Sequence, residues 1–267
     1  MDVNRDLVSP RHEYLSAAGL APNARLRPIT VLVGQWRACR FRVEFDSPRN
    51  ARFFFGATSF VVFAGLILQV VLSATSDGGS FGSVKGKVFN FFCFFTVQSN
   101  IIVAITTGML ALKLNRTSVT FDVFRLVGVI AIAVTGVVFH LALRDLQELT
   151  GWDALADFLL HAASPILSTI GWLTFGPRRR VSWRVIRLAA IPPLLWLVFT
   201  LVRGSFVQDV HGKDYYPYPF MNVQEHGYAT VVVNSAIVVV LFIALCSGAL
   251  ALDRKLPVRS TVTAPPN

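Results

Sequence analysis

The chain has 267 residues, 54% of them hydrophobic and only 15% charged, with 22 phenylalanines and a formal net charge of +10. A soluble domain carries about a quarter charged residues, so this composition excludes disorder and argues against an ordinary soluble enzyme. The basic residues sit in short blocks between apolar runs, as membrane topology signals do, and form no stripe for nucleic acid.

Residues 1–27 are polar and hold no apolar core of signal-peptide length, so the first apolar run is expected to insert and stay. Six runs then reach the ~20 residues that a helix needs to cross a bilayer. They are Phe53–Ser73, Val88–Leu112, Leu126–Leu143, Ala154–Phe175, Val185–Val202 and Ala229–Leu252. The predicted fold is an all-α integral membrane protein with six transmembrane helices at residues 53–252. It is flanked by an arginine-rich tail (1–52) and a C-terminal tail (253–267) that reads as disordered. Pro192-Pro193 should kink the fifth span, since neither ring nitrogen can donate a hydrogen bond. Cys39, Cys93 and Cys246 are odd in number and widely spaced, so no disulfide framework is expected.

Orientation follows from the Lys and Arg count. Twenty lie in the two tails, the second-to-third and the fourth-to-fifth connections, against five in the other three. That bias predicts a multi-pass protein of the cell membrane with both termini cytoplasmic. The glycine-rich Asp77–Gly82 stretch joins two spans on the outside and reads as a turn, not a phosphate cradle. The longest outer connection, Gly204–Tyr228, carries Tyr215-Tyr216-Pro217-Tyr218-Pro219-Phe220. Its composition fits an aromatic belt at the interface better than a lid.

Ionisable groups inside a span are costly and mark functional sites by default. Asp157 and His161 lie four residues apart in the fourth span, on one helix face, and Pro165 continues that face. His140 lies near the outer end of the third span, and the second holds Thr96, Gln98, Ser99 and Asn100. At ~1.5 Å rise per residue, Thr96 and His161 both lie roughly 10 Å below the outer surface. Two independent helices thus bring a hydroxyl and an imidazole to one depth, with Asp157 placed to orient the ring. This is a nucleophile, base and orienter arrangement, in which Asn100 could donate to an oxyanion and Ser99 is the alternative nucleophile. The competing readings are structural: a membrane threonine bonds its own carbonyl four residues back, and an Asp–His pair can simply hold helices together. Zinc would need three or four converging ligands; His140, His161, His211 and His226 show no compact spacing, and no metal or other cofactor is expected.

Three motifs resemble the androgen-induced, FAR-17a-type membrane protein family and its bacterial six-span relatives. They are Phe94-Phe95-Thr96-Val97-Gln98-Ser99-Asn100, Leu160-His161-Ala162-Ala163-Ser164-Pro165 and Tyr218-Pro219-Phe220-Met221-Asn222. Animal members of that family are intramembrane hydrolases of fatty acid esters of hydroxy fatty acids, using a threonine of the second span and a histidine of the fourth. The resemblance, which covers about Phe53 to Leu252, implies Thr96 as nucleophile and His161 as base, acting on a membrane lipid ester. Ser99, His140, Tyr218 and Phe220 are expected along the substrate path. The alternatives are a non-enzymatic protein, such as a small transporter or lipid sensor, and a zinc-dependent hydrolase. The oligomeric state is not legible.

Overall fold

The computed structural model describes residues 47–144 and 148–257; most of the arginine-rich tail, Cys39 included, and the last ten residues lie outside the described residues. Among the described residues the chain is helical, without strands. Helix α1 (Pro48–Thr75) starts where Ser47 accepts the Asn50 amide at 3.2 Å and Pro48 supplies a ring nitrogen that needs no partner. The second apolar run divides into α2 (Val84–Cys93) and α3 (Phe95–Leu112). Helix α4 (Val119–Val138) passes into a π-helical turn, Phe139–Leu143. The fourth run is α5 (Gly151–Phe158), a second π-turn (Leu159–Ala163) and α6 (Ser164–Phe175). The fifth is α7 (Trp183–Ala189) and α8 (Ile191–Gly204); a 3-10 turn at Pro219–Met221 then leads to α9 (Val223–Lys255). Among the described residues, six helical segments are long and apolar enough to cross a membrane, matching the six predicted runs.

Helix α4 is the axle of the bundle. Val127, Ile130 and Val134 join a core with α6, α7 and α9, while Ile132 joins one with α1 and α3. Lipid tails are as apolar as leucine, so helices associate in a membrane by close packing and shared hydrogen bonds. Both are present. A Cβ on Gly128 would come within 3.1 Å of Ile102, and one on Gly136 within 3.1 Å of Pro165. Ser59 donates to the Ala104 carbonyl across the α1–α3 contact at 2.8 Å.

The fifth span divides at Ala190, whose backbone stays helical (φ −73°, ψ −21°), where the proline pair withholds its amides, as the sequence reading expected of Pro192-Pro193. The structure departs from that reading in two other elements. The second span is not continuous but breaks at Phe94, whose backbone is extended (φ −71°, ψ 137°). The C-terminal tail starts later than residue 253, because α9 runs to Lys255. Asp253 is fully buried there and accepts the amides of Arg179, Arg180 and Val181 at 2.9, 2.8 and 2.9 Å. A carboxylate satisfied by three N–H donors locks the α6–α7 connection onto the last helix.

Candidate functional site

The break at Phe94 builds the site. Interrupting a helix frees carbonyls at the end of one half and amides at the start of the other, and in a membrane each must find a partner. Trp196 of α8 donates its indole Nε1 to the Cys93 carbonyl at 2.9 Å, and Gln98 donates to the Phe92 carbonyl at 3.2 Å. On the other half, the Phe95 amide donates to the Tyr218 hydroxyl at 3.1 Å. Thr96 therefore sits in the first turn of a half-helix, whose N-terminus carries a partial positive charge into the bundle.

Tyr218 belongs to the connection that was expected to form an interfacial belt. Instead its ring is buried and wedged between aromatic neighbours, 5.9 Å from Phe94 and 5.7 Å from Trp196. Burial pushes its phenol up to about 12, opposed by hydrogen bonds with the Thr96 hydroxyl and with the Thr96 and Phe95 amides. The segment is also anchored by Tyr215, whose hydroxyl accepts from Asn90 at 3.0 Å. The Asn90 oxygen in turn accepts from Arg203 at 3.0 Å, and the Arg203 guanidinium lies 5.5 Å from the Tyr215 ring. Gly204 is required here, since a Cβ would collide with the Tyr216 ring.

The second wall comes from the π-turn of the fourth span. A π-turn adds one residue to the helix, so each carbonyl awaits the amide five positions on. For Leu160 that position is Pro165, which has none. Asn100 fills the gap: its Nδ2 donates to the Leu160 carbonyl at 3.2 Å and to the Thr96 carbonyl at 2.8 Å. One fully buried amide thus ties the turn that bears Thr96 to the turn that bears His161.

His161 lies against Asp157, with Nδ1 to Oδ1 at 2.8 Å. The carboxylate stands off the ring N–H axis, so this is a close contact and not an aligned hydrogen bond. The imidazole also stacks on Phe139, ring centroids 4.0 Å apart and 15° from parallel, which fixes its plane. Thr96, Asp157, His161 and Tyr218 all line one cavity of about 820 Å³, together with polar side chains such as Gln69, Lys87 and Asp153.

Other expected site residues fall elsewhere. Ser99 is buried, donates to the Thr96 carbonyl at 3.0 Å and lines neither the 820 Å³ cavity nor the apolar one beside it. Asn100 points into the helix contact, lines neither of the two cavities, and commits its Nδ2 to the Thr96 and Leu160 carbonyls. His140 is exposed, with Nδ1 held 2.8 Å from the Gly136 carbonyl. Phe220 lines a second, apolar cavity. Among the described residues, no three His, Cys, Asp or Glu side chains converge as metal ligands would, so the zinc alternative gains no support. Trp196, Arg203 and Phe139 carry no sequence signal of their role, because their partners are distant in the chain. Compared with family models, curated proteins and solved structures, the chain matches none.

Proposed function

We propose that the protein is a multi-pass membrane hydrolase of fatty acyl esters, with Thr96 as nucleophile and His161 as base. The observation that carries this reading is that Thr96 and the Asp157–His161 pair, from two separate spans, line one cavity. With Asp157 against Nδ1, Nε2 is the nitrogen left to take the Thr96 proton. The hydroxyl oxygen attacks the acyl carbon, the alcohol leaves with the proton from the imidazolium, and water then cleaves the acyl-threonine to fatty acid. The oxyanion would be met by first-turn amides of α3, Val97's among them, and by the Tyr218 hydroxyl. The resemblance of the three motifs to the androgen-induced family supports the same assignment. The Lys and Arg count supports cytoplasmic termini, and with that orientation the cavity mouth would open on the outer side of the cell membrane.

A fluorophosphonate probe in membranes tests the chemistry. Wild type should be labelled and Thr96→Ala should not; labelling that survives Thr96→Ala overturns the assignment. A reporter active only in the cytoplasm should work after Asn267 and fail near Gly212.

One observation favours a second reading. Spans two and five, at corresponding positions of two three-span halves, are both interrupted, and a half-helix N-terminus faces the cavity. Broken helices in paired positions are a transporter signature. Thr96-independent uptake of a solute by proteoliposomes, with no probe labelling, would select this alternative.

A further inference from the structure

At the end of the bundle away from the Thr96 cavity, one cation is buried without a partner. Helices α1 and α4 each pack on α3 and α6, so the four form a square with α1 and α4 at opposite corners. Arg125 of α4 crosses that diagonal. Its guanidinium carbon stands 5.3 Å from the centre of the Phe55 ring of α1, and the residue is only 3% exposed. Yet Nε, Nη1 and Nη2 all lack a hydrogen-bond acceptor. Contact with one ring face leaves the donor edge of the guanidinium unmet. Such a group is costly inside a span and marks a function by default. Among the described residues the carboxylates at this end are Asp122 and Asp253, and both are engaged elsewhere. Asp253 accepts three amides, and Asp122 lies 3.7 Å from Arg180. Further cations stand nearby instead. Arg52 donates to the Ala111 carbonyl at 2.7 Å and Arg116 to that of Met109 at 3.1 Å, on either side of Leu110, which packs with Phe55.

We propose that Arg125 is a carboxylate-binding site, its guanidinium fork taking both oxygens of one carboxylate. The site is separate from Thr96 and independent of the hydrolase reading. Three features select the ligand. The fork matches a planar anion with two oxygens. One buried cation balances one negative charge, which suits a carboxylate better than a phosphate dianion. Ala51, Leu110 and Phe121, which pack with Phe55, are apolar and offer no second donor. Side chains of a helix lean toward its N-terminus, so Arg125, about 9 Å along α4 from Val119, reaches toward the near end of the square and not toward the Thr96 cavity. The carboxylate has two available sources. One is a free carboxylic acid; the other is Glu44 or Asp46, which shortly precede the Ser47 cap of α1 in the chain.

Thermal unfolding of the full chain in detergent micelles, followed by tryptophan fluorescence, tests the site. Sodium acetate is the probe, with sodium chloride at equal ionic strength and neutral acetamide as controls. If the carboxylate is free, acetate alone should raise the melting midpoint of wild type by about 3 °C. Arg125→Leu, which strands no partner and should fold, abolishes that rise. Arg125→Lys keeps the charge without the fork and loses most of it. If the carboxylate belongs to the chain, acetate leaves wild type unchanged. The double variant Glu44→Gln/Asp46→Asn then lowers the midpoint by about 3 °C when Arg125 is present and not at all in Arg125→Leu. A rise with acetate that persists in Arg125→Leu overturns the proposal. So does the absence of a rise in wild type together with a double-variant effect that simply adds to that of Arg125→Leu.

Discussion

Asn100→Leu removes a single amide of nearly equal size and tests whether that amide holds the site together. Its Nδ2 makes two bonds, to the carbonyls of Thr96 and Leu160, at full burial. The first is replaceable, because the Thr96 carbonyl also accepts from Ser99. The second is not, since Pro165 leaves the Leu160 carbonyl without its π-turn donor. A buried acceptor left unpaired costs about 1–3 kcal/mol. Interhelical bonds in membranes average only about 0.6 kcal/mol, and the Asn100 oxygen, itself unpaired, is removed by the same change. The net expectation is a loss of about 1–2 kcal/mol, a factor of roughly 5–30 in the folded ratio. Reversible unfolding in mixed micelles, followed by tryptophan fluorescence, measures it. Because the tie joins the turns that bear Thr96 and His161, the proposed nucleophile and base, labelling of Thr96 by the fluorophosphonate probe should also slow, by about tenfold or more. Stability within about 0.3 kcal/mol of wild type, with an unchanged labelling rate, would refute the tie.

His161→Ala should abolish ester turnover, while Asp157→Asn should keep the fold and lower turnover by about tenfold or more, because the imidazolium loses its charge partner; wild-type rates in Asp157→Asn would leave a Thr96–His161 dyad. Asp253→Ala strands three amides of the α6–α7 connection and should cost about 2–4 kcal/mol, visible as early unfolding and as protease cleavage near Arg178–Arg180. Tyr218 carries a phenol raised in the folded state to about 12, so its contribution is complete below the ordinary tyrosine range near 10 and is lost as pH rises from there through 12. Fluorescence of the adjacent Trp196 should accordingly stay flat up to about pH 10 and change above it, and Tyr218→Phe should remove that step.

The sequence by itself determined what depends on local composition. Bilayer thickness sets how long an apolar run must be, so the six spans could be read directly. Helical periodicity placed Asp157 and His161 on one face, and residue counts along two spans paired them with Thr96, which lines the same cavity. What the sequence left hidden depends on partners far along the chain. Nothing near Phe94, neither proline nor glycine, announces a break, because the groups that satisfy it are Trp196 and Tyr218, over a hundred residues away. Asn100 was expected to meet an oxyanion, yet a π-turn and Pro165 create an unmet carbonyl that claims it. Tyr215–Phe220 was expected at the interface, yet the freed α3 amide and the Asn90–Arg203 pair draw it inward. In a bilayer an unpaired backbone group has no water to turn to, so tertiary contacts decide where a membrane helix can break and which polar side chains remain for chemistry.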